Sequence, residues 1–238
     1  MSRFERTRIL IGDEGIERLA SRHVFLAGLG GVGSYCEEAL ARAGIGRLTL
    51  LDHDVVAESN INRQLPALDS TVGQSKAELM KERIVQINPD CVLTIRREFL
   101  DADNVNEIVP LDADYVIDAI DSLNCKVALV AESVKRGLKV ASSMGAGNKL
   151  DPSRIRLADI SETRICPLAS QMRKRLRKRG VEKGVLAVYT DEPPKPPLPP
   201  EPVAGHGRPR AVNGTISYMP PLFGFMLAGA VIKALLDE

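Results

Sequence analysis

Residues 23–52 read HVFLAGLGGVGSYCEEALARAGIGRLTLLD, and this passage contains two apolar runs separated by a glycine cluster and a helical pattern. The apolar runs at 23–29 and 47–52 are predicted to be buried strands, because short apolar runs bounded by turn residues are typical of a covered sheet. Residues 34–43 predict a helix that ends at Gly44. A strand, a helix and a second strand in this order are typical of a parallel sheet covered by helices.

The same alternation extends over the next hundred residues and weakens after residue 151. Further elements are predicted as a helix at 75–88, strands at 91–99 and 113–121, a helix up to 136, and a strand at 139–144. The remainder predicts strands at 154–160 and 185–190, a basic helix at 168–180 and an extended proline-rich loop at 192–202. We therefore expect an α/β protein with a Rossmann-like, doubly wound and mostly parallel sheet. We expect one domain over residues 1–238, with a nucleotide-binding half at 1–150 and a substrate-facing half at 151–238.

The composition is that of an ordinary globular protein. Of the 238 residues 44% are hydrophobic and 26% are charged, with a formal net charge of +1, which excludes a disordered chain and one that is basic throughout. The four cysteines form no CxxC pair, which argues against a local zinc site. The charged N-terminus argues against a secretion signal, so a cytoplasmic protein is expected. The apolar run at 220–232 is too short to span a bilayer and predicts a buried last helix or a subunit interface.

A glycine cluster between the first strand and the first helix indicates a nucleotide site. Gly28, Gly30 and Gly33 match GxGxxG, in which glycines let the backbone approach a phosphate and the helix N-terminus presents free N–H groups to the anion. Asp52 ends the next predicted strand, where an acid can accept a ribose hydroxyl. The alternative is a glycine-rich turn that only packs a helix on a sheet.

Three further residues favour a triphosphate over a dinucleotide. A triphosphate with magnesium needs cations on its phosphates and a carboxylate on the metal, and Arg63, Lys76 and Asp121 supply both. NAD needs neither. Taken singly, Lys76 could be a solvated helix lysine and Asp121 a helix N-cap, a role that Ser122 could fill equally well. Only the joint pattern is informative.

Five segments in order, GLGGVGS, LTLLDHD, ESNINRQ, VGQSKAE and DAIDS, resemble the ATP-dependent E1-like adenylyltransferases. The resemblance implies activation of a carboxylate as an acyl-adenylate with release of pyrophosphate. It assigns the nucleotide to Gly28, Gly30, Gly31, Gly33, Asp52, Asp54 and Gln64, the phosphates to Asn60, Arg63 and Lys76, and Mg²⁺ to Asp121. It also implies a homodimer, in which Arg6 of one subunit reaches the ATP of the other.

Two carboxylates compete as the substrate. One is the C-terminus of a ubiquitin-like sulfur-carrier protein, although the CxxC zinc pairs found in many enzymes of that kind are missing here. The other belongs to a tRNA base, because residues 171–180 carry six positive charges and no acid, which is the footprint of a phosphate-binding surface. The six cations are Arg173, Lys174, Arg175, Arg177, Lys178 and Arg179. On a helix, Met172, Leu176 and Arg179 would mark the inner face; a solvated basic helix is the alternative.

The later segments, among them SSMGAGNKLDP, DISET and CPLA, resemble the tRNA threonylcarbamoyladenosine dehydratase branch of this family. That resemblance implies ATP-dependent activation of the threonyl carboxylate, followed by loss of AMP and ring closure. It also implies a cysteine desulfurase and a sulfur acceptor protein as linked partners. Cys166 precedes the basic helix and is interpreted either as a reactive thiol or as a partly buried spacer, whereas Cys36, Cys91 and Cys125 are expected in the core.

Overall fold

A seven-stranded sheet with the strand order β3-β2-β1-β4-β5-β7-β6 forms the centre of the molecule. The structure is a computed structural model and describes residues 3–201 and 210–237. All neighbours in the sheet are parallel except β6, which runs antiparallel to β7. The strands are β1 His23–Ala27, β2 Arg47–Leu51, β3 Val92–Arg96, β4 Tyr115–Asp118, β5 Lys139–Ser143, β6 Ile155–Asp159 and β7 Val185–Thr190. The predicted α/β class with a mostly parallel, doubly wound sheet is confirmed.

Helices cover both faces of this sheet. They are α1 Glu5–Ser21, α2 Gly33–Ala43, α3 Lys76–Ile87, α4 Val105–Ile108, α5 Leu123–Lys135, α6 Pro167–Arg177 and α7 Met219–Leu236. Short 3₁₀ helices lie at Glu58–Asn60, Asp69–Thr71, Pro152–Arg154 and Ile160–Glu162. The central strand β1 is buried along its whole length, because helices pack on both of its faces.

Alternate residues of β1 belong to two separate cores. Val24 and Leu26 pack in a core that includes residues of α2, α3 and α7, whereas Phe25 and Ala27 pack in a core that includes residues of α5 and α6. This division follows from the period of two in a strand, which sends successive side chains to opposite faces. Strands from residues 1–150 and from residues 151–238 belong to this one sheet.

Several predicted boundaries are corrected by the structure. The fourth strand ends at Asp118, so Asp121 lies three residues beyond it and not at its last position. The proline-rich segment is not a loop throughout, because β8 Leu198–Glu201 pairs antiparallel with β9 Arg210–Val212. Helix α1 was not predicted from the sequence; its many charges and an interior kink at Gly12, where φ is +74°, obscure its periodicity.

Helix α7 is longer than the predicted run at 220–232. Its 18 residues are long and apolar enough to cross a membrane by length and composition alone. Half of that window is buried inside the fold, where the helix packs along α2. Burial of this kind is typical of the core helix of a globular protein, as the sequence predicted.

Candidate nucleotide and RNA sites

The glycine turn between β1 and α2 brings two backbone segments closer than a side chain would allow. Gly28 has a φ of +90°, and a Cβ atom placed on it would lie 2.7 Å from the carbonyl oxygen of Ala119. A Cβ atom on Gly33 would lie 1.7 Å from the carbonyl oxygen of Gly28. Within the described part of the chain, the N–H groups of Gly31, Val32 and Gly33 have no acceptor. The turn therefore presents several donors at a helix N-terminus, which is a favourable arrangement for an anion.

Asp52 ties the end of β2 to this turn. Its Oδ2 accepts a hydrogen bond from the Leu29 N–H at 2.6 Å, and its Oδ1 accepts one from the Asp54 N–H at 2.8 Å. Burial raises the pKa of Asp52, and the two N–H donors oppose that shift. The carboxyl group is therefore held at the carboxyl edge of the sheet, where ligands of this fold bind.

Lys76 is the first residue of α3 and is buried, with only 4% of its surface exposed. Its Nζ lies 2.9 Å from Oδ2 of Asp54, whose other oxygen lies 3.2 Å from Nε2 of His53. The alternative interpretation of Lys76 as a solvated helix lysine is therefore wrong. Asp52, His53 and Asp54 could together surround a metal ion, but the first accepts backbone N–H groups and the last is paired with Lys76.

The residues after β2 fold back over the glycine turn. Arg63 Nη1 donates to the carbonyl oxygen of Ser59 at 2.9 Å, and Arg63 Cγ lies 3.3 Å from where a Cβ of Gly31 would stand. Gln64 is buried, and its Nε2 lies 3.6 Å from the corresponding position on Gly30. Asn60 accepts a hydrogen bond from the N–H of Ala57 through its Oδ1 at 3.1 Å. Arg63 and Gln64 are thus brought to the turn, while the Asn60 side chain stabilises the loop that carries them.

Asp121 lies in the connection between β4 and α5 and is exposed. The alternative role as a helix N-cap is wrong, because Ser122 occupies the N-cap position of α5. Among residues 3–201 and 210–237, the Asp121 carboxylate has no hydrogen-bond or ion-pair partner. The same connection approaches the glycine turn at Ala119, so Asp121 lies two residues beyond that approach in the chain.

Sequence reasoning missed a buried ion pair directly beneath this connection. Lys126 Nζ lies 2.7 Å from Asp118 Oδ2 and 2.8 Å from the carbonyl oxygen of Ser143, and Lys126 and Asp118 are 1% and 0% exposed. Asp118 also accepts the Ser142 hydroxyl at 2.5 Å and the Ile120 N–H at 3.1 Å. The pair joins β4, β5 and α5 and fixes the start of the loop that carries Asp121. A lysine inside the apolar run CKVALVA was the available signal.

Known proteins share this sequence and geometry. The model of the ThiF family matches residues 4–238. The chain belongs to the ThiF family. It is 46% identical over 194 residues to the tRNA threonylcarbamoyladenosine dehydratase of Bacillus subtilis, covering 82% of this chain and 76% of that protein. It is 44% identical over 197 residues to the enzyme of the same name from Escherichia coli, covering 80% and 74%.

A solved structure extends the likeness of this ThiF-family chain to the whole fold. The crystal structure of the E. coli tRNA N6-threonylcarbamoyladenosine dehydratase in complex with ATP superposes with a TM-score of 0.88 at 37% identity. The superposition covers 99% of this chain and 94% of that chain. The described glycine turn and its surrounding residues therefore belong to a fold that holds ATP in a similar protein.

The basic helix of this ThiF-family chain divides its cations into two groups. Met172 and Leu176 are buried, as the helical spacing predicts, but Arg179 is exposed and lies beyond the helix, which ends at Arg177. Two half-buried cations make hydrogen bonds within the chain, because Arg173 donates to Thr163 and Arg175 donates to Asn124. The remaining four have no partner within the described residues and are exposed; they are Lys174, Arg177, Lys178 and Arg179.

The N-terminal segment carries Arg6 on the outside of the molecule. Arg3 Nη1 donates to the carbonyl oxygen of Ile87 at 2.7 Å and anchors the segment on α3. Arg6 follows in α1, is exposed, and has no partner in the described ranges. Ile9 and Leu10 of the same helix are 72% and 85% exposed, so α1 presents apolar side chains to its surroundings.

All four cysteines are free and buried. The expectation for Cys36, Cys91 and Cys125 is confirmed, and Cys166 is buried as well. Burial raises the pKa of Cys91 to about 12 and that of Cys36 still further, so these thiols stay protonated near neutral pH.

Proposed function

We propose that this chain is an ATP-dependent enzyme that dehydrates threonylcarbamoyladenosine in tRNA to a cyclic form. The proposal is supported chiefly by one combination: the chain is 46% identical to a tRNA threonylcarbamoyladenosine dehydratase, its Arg63 lies against a glycine turn, and its buried Lys76 pairs with Asp54, which is hydrogen-bonded to Asp52 beside that turn. The reaction class is adenylation of the threonyl carboxylate followed by ring closure. The enzyme would act in the cytoplasm, where its tRNA substrate resides.

We assign the nucleotide to the glycine turn and its neighbours. The N–H groups at Gly31 to Gly33 would bind phosphate oxygens, because the α2 N-terminus carries partial positive charge. Asp52 would accept a ribose hydroxyl, Asp54 would hold Lys76 in place, and Asn60 and Gln64 would orient the loop over the phosphates. Gly28 and Gly30 complete the turn.

Mg²⁺ fits the carboxylate at Asp121. A hard dication takes oxygen ligands and keeps several waters, so one carboxylate together with the phosphates of ATP is a sufficient ligand set. Asp121 has no other partner among the described residues, whereas Asp54 already pairs with Lys76. When bound there, the ion would supply neutralisation of the phosphate charge.

The chemistry needs charge neutralisation more than a general base. An oxygen of the threonyl carboxylate attacks the α-phosphorus of ATP, the bond to the bridging oxygen of the β-phosphate breaks, and pyrophosphate leaves. Lys76 and Arg63 would stabilise the negative charge that gathers on the phosphate oxygens in this step. An atom of the carbamoyl group then attacks the acyl carbon, and AMP leaves. The nucleoside loses one water in total.

We assign tRNA binding to α6 and the residues that follow it. The four exposed cations have no internal partner in the described chain, so they are available to phosphates. Arg173 and Arg175 would contribute less, because both are bound to neighbouring residues. Binding of this kind releases counterions and depends strongly on salt.

A homodimer would complete the nucleotide site. Arg6 is exposed, and the exposed Ile9 and Leu10 give α1 an apolar surface that a second copy could cover. In such a dimer Arg6 would reach the ATP of the partner subunit. The cysteine desulfurase and the sulfur acceptor protein stay expectations from the resemblance, because no described surface is specific for them.

Mass spectrometry of nucleosides tests the proposal. The full chain is mixed with ATP, Mg²⁺ and tRNA that carries threonylcarbamoyladenosine, and the digested nucleosides are compared with those from a reaction without ATP. The expected result is an ATP-dependent loss of one water from the modified adenosine, with one pyrophosphate released per event. No water loss together with ATP–pyrophosphate exchange driven by a ubiquitin-like sulfur carrier would favour the alternative substrate. Neither activity in a chain that binds ATP would indicate a nucleotide sensor.

A further inference from the structure

Asn62, on the loop after β2, holds one end of the Arg63 guanidinium. Its Oδ1 accepts a hydrogen bond from Arg63 Nη1 at 2.8 Å, and the same nitrogen donates to the carbonyl oxygen of Ser59 at 2.9 Å. These two bonds use both hydrogens of Nη1. Within the described residues, Nη2 and Nε of Arg63 have no acceptor. The rest of the guanidinium is therefore available to an anion.

The other end of the Asn62 amide is bound to a distant part of the chain. Its Nδ2 donates to the carbonyl oxygen of Thr215 at 3.0 Å, across 153 residues of sequence. Asn62 thus accepts from a cation and donates to a carbonyl group at the same time. A carboxylate cannot donate and an ammonium cannot accept, so an amide side chain meets both requirements. Arg63 is thereby linked to residues 213–215, which lie between β9 and α7 and are called the strap below.

Asn148, on the loop after β5, holds the strap from its other side. Its Oδ1 accepts the Gly214 N–H at 2.7 Å, and its Nδ2 donates to Asn213 Oδ1 at 2.8 Å. Its backbone N–H donates to the carbonyl oxygen of Gly214 at 2.8 Å. Asn148 has a φ of +59°, a left-handed conformation that asparagine adopts more readily than most residues. Side chain and backbone of one residue therefore fix the strap to the end of β5.

The strap joins two loops that lie on either side of the nucleotide site. In the strand order, β1 and β4 lie between β2 and β5, and their carboxyl ends lead into the glycine turn and the Asp121 connection. After the strap the chain enters α7, where Pro220 Cβ lies 3.0 Å from where a Cβ of Gly31 would stand. The chain on both sides of the Asn62 contact thus returns to the glycine turn.

We propose that Asn62 is a positioning residue for Arg63 and that the strap, held by Asn148, supports it. An arginine whose guanidinium is fixed in advance loses less conformational entropy when it binds a phosphate than a free one does. The hydrogen bonds from Asn148 through the strap to Asn62 fix Nη1 and leave Nη2 and Nε for phosphate oxygens. The inference rests on the proposed role of Arg63 at the phosphates of ATP, and it assigns no contact with ATP to Asn62 itself.

Titration of ATP and Mg²⁺ into the full chain tests this role without tRNA. Asn62→Ala breaks both amide bonds, so calorimetry should show ATP binding about 10-fold more weakly, as for the loss of one hydrogen bond to a charged group. Arg63→Ala should weaken binding at least as much. The double variant should bind no more weakly than Arg63→Ala, because Asn62 acts only through Arg63. Asn106→Ala, at an exposed position on α4, is the matched control and should bind ATP as the wild type does.

Asn148→Gly tests the support that the strap provides. Glycine tolerates a positive φ, so this variant removes the side-chain hydrogen bonds to residues 213 and 214 without backbone strain. We expect ATP to bind about 3-fold more weakly, which is within the range for a residue that acts through a network of contacts. This loss should vanish when Arg63→Ala is also present. A general loosening of the fold would instead weaken binding in both backgrounds.

The possible outcomes separate this inference from the proposed reaction. Additive losses in the double variant of Asn62 and Arg63, or wild-type affinity in Asn62→Ala or in Asn148→Gly, would overturn the inference alone. Wild-type affinity in Arg63→Ala would overturn it together with the proposed phosphate role of Arg63. The expected affinities, combined with no loss of water from the modified nucleoside, would support the positioning role and contradict the proposed reaction.

Discussion

The glycine-turn region and the surface of α6 differ in whether their positively charged side chains are paired with acids. Around the turn, Lys76 faces Asp54 and Lys126 faces Asp118, at 2.9 and 2.7 Å. On and after α6, four of the six cations have no partner among the described residues. A site for a small triphosphate benefits from cations fixed in advance, because no reorganisation is then needed during the reaction. A surface for a long polyanion gains from hydrated cations that release counterions on binding.

Replacement of Lys76 should have the largest effect on turnover. Lys76→Met removes a buried cation that we assign to the phosphates, so pyrophosphate release should fall at least about 100-fold, as for the loss of one preorganised donor. Lys81→Met is the matched control on the same helix, because Lys81 is exposed and, among the described residues, pairs with Glu78 alone. Turnover of Lys76→Met within a few fold of wild type would mean that this lysine does not act on the phosphates. The proposed contrast between the glycine-turn region and α6 would then lose its functional basis.

Removal of the other paired lysine should act on stability. Lys126→Met leaves Asp118 as an unpaired buried charge, so the free energy of unfolding in urea should fall by about 3–5 kcal/mol. The double variant Asp118→Asn with Lys126→Met should recover much of that loss, because no charge is then stranded. Lys174→Met on α6 should change stability by less than about 0.5 kcal/mol. Equal effects at Lys126 and Lys174 would contradict the difference between the two regions.

The exposed cations on and after α6 should affect the salt dependence of tRNA binding. Changing the four unpartnered cations to Gln should weaken tRNA binding and lower the slope of log K against log salt by up to about 0.9 for each phosphate that is no longer neutralised. The control changes Arg173 and Arg175 to Gln, which breaks internal hydrogen bonds with Thr163 and Asn124 and should alter stability more than the slope. Filter binding at several salt concentrations measures both. An unchanged slope in the first variant would mean that this surface is only solvated.

The glycine turn between β1 and α2 could be predicted from the sequence because its requirements are local. The steric contact between Gly28 and Gly33 leaves no room for a side chain, and that constraint is carried by residues close together in the chain. The connection after β4 was harder to predict, because the strand ends at Asp118, which is buried and paired with Lys126 of α5. Such a pairing depends on depth of burial, which periodicity does not report.

Failures on the α6 side have a different physical origin. Arg179 was predicted on the inner face by helical spacing, but Gly180 adopts a φ of +82° and the helix ends before it, so that spacing no longer applies. The sequence also could not predict which of the six cations would form hydrogen bonds within the chain. Thr163 and Asn124, which bind two of them, lie 10 and 51 residues away from their partners.

Glu37 is the strongest exception to the pairing of charges around the glycine turn. It is a buried acid on α2 with no partner among the described residues. Both of its carboxylate oxygens lack a hydrogen-bond donor there, whereas its neighbour Glu38 pairs with Arg83 and Arg42. Burial raises the pKa of Glu37 well above the ordinary value of 4.5. The rule that charges in this region are paired therefore holds only if Glu37 is protonated in the folded state.

Glu37→Gln tests that state through the pH dependence of stability. Because its folded pKa is raised, wild-type Glu37 favours folding fully below about pH 4.5 and loses this contribution as the pH rises towards the folded pKa, by up to about 1.4 kcal/mol per pH unit. Gln cannot titrate, so the advantage of Glu37→Gln over wild type in urea unfolding should grow as the pH rises above about 5. Parallel curves across this range would mean that Glu37 is ionised and paired, contrary to the contacts of α2.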